Sequence, residues 1–183
     1  METLAKDKDN LPSSSRKKLR NNIYTTNLIN YNLSIPFKFV GKDIADFITK
    51  EIKERIEGKC IKDGYIKENS CRVITYTSGI INEDKIEMNV LLECEVCNPV
   101  EDMIIKNCIV KNISKGGIRA QLNTKKKSPF IIFIHRDHEY DNEKFTLVKE
   151  DDIIKVKVIG TRFELNDPFI SIVASLESQN ERQ

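Results

Sequence analysis

Two short stretches carry side chains at spacings on which chemistry could be built. Cys94-Glu95-Val96-Cys97 is a C-x-x-C arrangement, the spacing of half a tetrahedral zinc site or of a redox pair. A complete zinc site needs a second close pair of Cys or His, and Cys60, Cys71 and Cys108 stand singly. The sequence around 94–97 is strand-like, and residues three apart on a strand face opposite ways. These thiols are therefore expected to be buried structural groups, because free cysteine packs as a small hydrophobe. His135-Arg136-Asp137-His138 sets two imidazoles beside a carboxylate, a group that could hold a cation. Arg136 in its midst opposes one, and no further ligand cluster is evident, so the stretch reads as a charged strand end running into a loop. No G-x-x-x-x-G-K-[ST] phosphate loop and no serine-nucleophile motif occurs. No catalytic residue, metal ligand or cofactor is assigned, and a non-catalytic protein is expected.

The remaining chemistry is binding. Lys111, Lys115, Arg119, Arg136, Lys155 and Arg162 are candidates to meet phosphates, and Phe133 is a candidate ring for a base to stack on. The alternative is that Phe133 lies in the core and the basic side chains simply face water. Lys125-Lys126-Lys127 is a basic loop, read first as solvated.

The elements that must position these residues occupy 107–176. Apolar residues at 109, 113, 118, 120 and 122, with Gly116-Gly117 between, read as two strands meeting at a bend where glycine is needed. Pro129-Phe130-Ile131-Ile132-Phe133-Ile134 is an apolar run of strand length. Residues 152–160 alternate apolar with basic, Asn166-Asp167 makes a turn, and residues 169–176 complete the set. Five short strands without a long helix predict an OB-type barrel, a fold that commonly binds single-stranded nucleic acid across one face.

Upstream, Ile23-Tyr24-Thr25-Thr26-Asn27-Leu28-Ile29 and Leu33-Ser34-Ile35-Pro36-Phe37-Lys38-Phe39 are two strand candidates. Ile44, Phe47, Ile48, Ile52 and Ile56 recur at helical steps, predicting an amphipathic helix over about 43–57 that lies on a sheet and ends at Gly58. Residues 60–96 read as a β-meander with turns at Asp63-Gly64 and Ser78-Gly79, and Asn98-Pro99 marks a boundary. The expected class is α+β, mostly β: an N-terminal curved antiparallel sheet with one amphipathic helix over 21–98, then a C-terminal five-stranded OB-fold barrel over 99–177. Polar tails are expected at 1–20, where Arg16-Lys17-Lys18-Leu19-Arg20 is read as part of a solvated segment rather than a targeting arm, and at 178–183.

Composition narrows the function. The 183 residues carry 30 basic and 28 acidic side chains, a net charge of +2, so any nucleic-acid contact is local rather than driven by global charge. Hydrophobic residues make 39% and charged residues 32%, consistent with a core under a highly charged surface. No stretch approaches the roughly 20 apolar residues of a membrane span, and no secretion signal is recognised at the N-terminus. Five cysteines, an odd number, argue for reduced thiols, and the expected location is intracellular.

In order and spacing these pieces resemble the stalk subunit of multisubunit DNA-directed RNA polymerases, the family of the seventh subunit of eukaryotic polymerase II and its archaeal counterpart. The resemblance runs from about residue 23 to 176. Pro36-Phe37-Lys38-Phe39-Val40-Gly41 before the helix and Glu57-Gly58-Lys59-Cys60 after it are similar to the family's helix boundaries. Asp63-Gly64-Tyr65-Ile66 resembles its tip turn, Pro99 its hinge, Lys115-Gly116-Gly117-Ile118 its glycine bend, and the run ending Val158-Ile159-Gly160-Thr161-Arg162 its late strand. There are departures. The N-terminal tail is longer, the loop after Arg136 is shorter, Cys94 and Cys97 replace other types, and Gly116 and Arg119 stand where related barrels carry aromatics. The resemblance implies a non-catalytic subunit that docks at the clamp base of the polymerase core through Asp63, Gly64 and Tyr65. It also implies contact with nascent single-stranded RNA through the barrel, and it leaves open whether a fourth-subunit-like partner binds alongside. The alternative is a free-standing OB-fold RNA-binding protein of translation or RNA decay. The Ile, Lys and Asn bias is that of an AT-rich coding sequence and points to a large DNA virus. A viral subunit would work in the virion and host cytoplasm, a cellular one in the nucleus.

Overall fold

The computed structural model describes residues 23–41, 43–139 and 143–177. The expected tails at 1–20 and 178–183 lie outside the described residues. Among the described residues no helix is long and apolar enough to cross a membrane.

The N-terminal half is an antiparallel sheet built on two long strands. β1 (Thr25–Pro36) pairs with β6 (Lys85–Cys97) along its whole length, from Thr25 opposite Val96 to Pro36 opposite Lys85. The two strands expected over 23–39 are thus one. Ile29, Leu33 and Ile35 keep a two-residue alternation through the asparagines at 30 and 32, so one face stays apolar where low-propensity residues suggested a break. The last residues expected to be strand instead turn: Phe37–Phe39 form a 3-10 turn, after Pro36. Short strands β2 (Cys60–Ile61), β3 (Gly64–Ile66), β4 (Arg72–Tyr76) and β5 (Ile80–Asn82) complete the sheet, and β3, β4 and β5 each pair with β6 at successive positions.

Helix α1 (Ile44–Ile56) lies on this sheet. Ile48, Ile52 and Ile56, four residues apart, are at most 2% exposed and pack with Leu33, Ile35, Val90 and Leu92. Gly58 takes φ +72°, the left-handed conformation that ends a helix. Lys59 Nζ then donates to the carbonyls of Glu54 (3.1 Å) and Arg55 (3.2 Å), two of the acceptors that a helix C-terminus leaves open.

The C-terminal half is a closed barrel of β7 (Ile104–Ser114), β8 (Gly117–Leu122), β9 (Phe130–His135), β10 (Ile153–Arg162) and β11 (Ile170–Leu176). Around the barrel the order is β10-β11-β9-β8-β7, with β9 and β11 parallel and the other pairs antiparallel. This order, with the short helix α2 (Glu143–Leu147) between the third and fourth strands, is the OB arrangement that the sequence predicts. Inward residues alternate along each strand: Ile118, Ala120 and Leu122; Phe130, Ile132 and Ile134; Ile170, Ile172 and Ala174.

The halves meet in a shared core. Ile23, Cys60, Tyr65 and Cys97 pack into the barrel's apolar cluster, while the helix-on-sheet cluster is separate. At this junction Cys60 N–H donates to the Asp167 carbonyl (2.8 Å) and Asn166 N–H to the Cys60 carbonyl (2.9 Å), joining the β2–β3 hairpin to the β10–β11 turn.

Candidate functional site

The barrel's outer face is set by what its inner face must bury. In β9, Phe130, Ile132 and Ile134 are at most 1% exposed, so alternation turns Phe133 outward, where it is 42% exposed. Of the two readings of this ring, the exposed one is observed. Across the sheet Arg119 of β8 stands opposite Phe133, Asn112 of β7 opposite Arg119, and Val173 of β11 beside Phe133. These four side chains therefore form one transverse row on the outside of the barrel.

At the end of the β8–β9 ladder, Gly117 pairs with His135. Gly117 has φ +151°, and a Cβ there would lie 2.1 Å from the Ile134 carbonyl oxygen, so only glycine lets the two strands approach. The result is a groove of about 260 Å³ lined by Asn112, Ser114, Gly117, Arg119, Phe133 and His135, among others. Arg136 is held at its edge. Its Nε donates to the Lys115 carbonyl (3.0 Å), and its guanidinium lies 5.2 Å from the centre of the Phe145 ring. An aromatic face flanked by cations is the arrangement that stacks a base and neutralises its phosphates.

Of the seven residues considered for nucleic-acid contact, Lys115, Arg119, Phe133 and Arg136 gather at this end. Arg162 pairs with Ser171, which pairs with Ile131, in the neighbouring outward row; its guanidinium is 3.7 Å from Glu164. Lys111 and Lys155 sit at irregularities of β7 and β10, on the side of the barrel away from β9. Lys111 Nζ faces Asp151 at 3.8 Å, and Lys155 is half-buried. The loop of Lys125, Lys126 and Lys127 rims a separate cleft of about 200 Å³ at the junction, floored by Tyr24, Tyr65, Leu122 and Pro129.

The turn considered for docking lies where the two halves meet. Asp63 is exposed, but Tyr65 is 2% exposed, opposite Cys97 and inside the core shared with the barrel. Gly64, at φ +126°, brings the hairpin against β6, where a Cβ would lie 2.5 Å from the Cys97 carbonyl oxygen. The Tyr65 ring thus packs in the junction core and reaches the cleft rimmed by Lys125, Lys126 and Lys127. The apolar end of the sheet lies elsewhere. Phe37, Phe39, Ile80 and Ile81 are 55%, 44%, 76% and 66% exposed. The Phe37 N–H donates to the Asp84 carbonyl (2.8 Å), which ties the 3-10 turn to the β5–β6 turn and brings these residues to one end. β5 pairs with the first residues of β6 and β3 with the last, so this end is separated from the barrel junction by roughly 30–40 Å at about 3.3 Å per residue. Periodicity did not single out these residues, because Phe37 and Phe39 sit in a run that reads as strand. Their signal was apolar residues in a turn beside Pro36.

The C-x-x-C stretch does not bring its own two thiols together. Cys94 packs in the helix-on-sheet core and Cys97 in the junction core, on opposite faces of β6. His135 Nδ1 is 3.4 Å from Asp137, the His135 and His138 rings are 6.1 Å apart, and residues 136–138 form a 3-10 turn. Just after it, the Glu139 carboxylate accepts the Leu176 N–H at 2.6 Å, so this segment fastens the end of β11. Among the described residues no group of three or more His, Cys, Asp or Glu is arranged to hold a metal ion.

The chain is thus an OB-type barrel with an exposed basic and aromatic outer row, joined to a helix-backed sheet whose far end exposes apolar side chains. No family model matches the chain. It is 27% identical over 159 residues, 78% of this chain and 75% of the other, to a protein of Acanthamoeba polyphaga mimivirus called "Putative DNA-directed RNA polymerase subunit L376". The resemblance drawn from the motifs is met there at the level of an RNA polymerase subunit, and the relative is from a large DNA virus.

Proposed function

We propose that this chain is a non-catalytic subunit of a viral DNA-directed RNA polymerase. In this reading it is a stalk: the apolar end of the N-terminal sheet docks on the polymerase core and the barrel's outer row meets nascent RNA. The observation that carries the reading is the similarity to a viral polymerase subunit over most of both chains. The separation of the two exposed surfaces supports the division of labour. Phe37, Phe39, Ile80 and Ile81 would be covered by the core, and Arg119, Phe133 and Arg136 would remain free. Asp63, at the junction end, contributes no anchoring ring to this contact.

The test is purification of the polymerase through a tag on a different subunit. The wild-type chain is expected to co-purify, an Ile80→Asp, Ile81→Asp variant to be lost from the complex, and Phe133→Ala to remain in the complex with weaker cross-linking to nascent RNA. Absence of the wild-type chain from the purified polymerase overturns the assignment and leaves the free-standing RNA-binding module.

A further inference from the structure

Cys71 immediately precedes β4 and is half-buried, while Cys94 is 1% exposed in the middle of β6. In the β4–β6 ladder Arg72 stands opposite Glu93, so the next antiparallel step sets Cys71 opposite Cys94. Their Sγ atoms are 3.1 Å apart, joined by a hydrogen bond. Directly opposed residues have Cα atoms about 4.5–5.5 Å apart, within the roughly 4.4–6.8 Å that a disulfide spans. An S–S bond of about 2.05 Å therefore needs only a small closing movement. The backbone is already pinned for it, since the Glu57 carboxylate accepts the N–H groups of Asn69 (3.0 Å) and Cys71 (2.9 Å). The other thiols lack such a partner. Cys60 is opposite Tyr65 and Tyr65 opposite Cys97, which separates Cys60 from Cys97 by two strand spacings, about 9–10 Å.

We propose that Cys71 and Cys94 are a dithiol site of oxidative modification, closed to a disulfide by a peroxide-class oxidant so that β4 is covalently tied to β6. Cys94, ionised against the S–H of Cys71, attacks one peroxide oxygen; the O–O bond breaks, Cys94 becomes a sulfenic acid and hydroxide leaves. That hydroxide takes the Cys71 proton and becomes water. The Cys71 sulfur attacks the Cys94 sulfur, the S–S bond forms, the S–O bond breaks, and the second hydroxide takes up the proton first lost by Cys94. Two thiols and one peroxide give one disulfide and two waters: each sulfur loses one electron and the peroxide gains two. The hydrogen bond shared by the two sulfurs holds the Cys94 thiol below its ordinary value and pushes that of Cys71 up, whereas burial pushes Cys60, Cys97 and Cys108 up, so within the pair the thiolate is that of Cys94.

The experiment treats the reduced full chain with hydrogen peroxide, blocks remaining thiols with iodoacetamide and reads intact mass and peptide map. The expected result is loss of two hydrogens, a single linkage between the Cys71 and Cys94 peptides, and reversal by dithiothreitol. The same linkage is expected in Cys97→Ser, and none in Cys71→Ser. The wild-type map decides without the variants. Recovery of Cys71 and Cys94 as separately alkylated or sulfinic residues from folded protein overturns the proposal, as does a Cys94–Cys97 bridge.

Discussion

Phe133 and Arg119 face each other across the β8–β9 ladder because Ile118, Ile132 and Ile134 on either side of them go inward. Their row carries one ring, so in the proposed RNA contact stacking on it would account for roughly 1–3 kcal/mol. Phe133→Ala is expected to weaken binding of a short single-stranded RNA by about 5- to 150-fold in a fluorescence-anisotropy titration. Its urea midpoint should barely move, since the ring is 42% exposed. Gly117 behaves the other way. Gly117→Ala puts a Cβ 2.1 Å from a backbone oxygen and is expected to cost at least about 1–3 kcal/mol of stability, read by urea unfolding. The buried thiols make a third residue-scale effect. Burial pushes Cys60 up to about 11 and Cys97 and Cys108 up to about 12, from an ordinary value of 9.0. Above that ordinary value the unfolded chain loses protons that the folded chain keeps. Stability is therefore complete below about pH 9 and falls as pH rises toward 11–12, so the urea midpoint should decline steadily across that window.

At the scale of elements, α1 is held by one stripe. Ile48, Ile52 and Ile56 are its buried residues, and the exposed Arg55–Glu51 pair at 2.8 Å adds only a few tenths of a kcal/mol. Ile52→Ala should destabilise the protein by about 2–5 kcal/mol in urea unfolding, because Ile52 is 1% exposed among Leu33, Ile35 and Val90. The helix was legible in the chain from its three- and four-residue spacing and from Gly58. β1 was only half legible, because the asparagines that interrupt its composition do not interrupt its alternation. The pairing of β4 with β6 was not legible at all: a strand announces its own period but not its partner's register.

For the whole molecule, the junction decides how independent the halves are. Tyr65, Cys60, Cys97 and Ile23 belong to the barrel's core although they come from the N-terminal half. A fragment of residues 99–177 would leave the barrel wall they cover in water, at about 1.5–3 kcal/mol for a large side chain's burial. The fragment is expected to unfold at a clearly lower urea concentration than the full chain; equal midpoints would show that the shared core contributes nothing. The same junction ties the β2–β3 hairpin to the β10–β11 turn through the paired backbone hydrogen bonds of Cys60 with Asn166 and Asp167.

What the chain alone determined is local in origin. Two-residue and four-residue apolar periods, the glycines at 58 and 117 and the turn at Asn166-Asp167 specify strands, helix, bend and barrel, because burying one face of an element dictates its own pattern. The outward or inward sense of Phe133, the burial of Tyr65, the meeting of Cys71 with Cys94 and the gathering of Lys115, Arg119 and Arg136 needed the tertiary structure. Each depends on register and closure between segments tens of residues apart, and no spacing within a single segment encodes which side of a neighbour it will face.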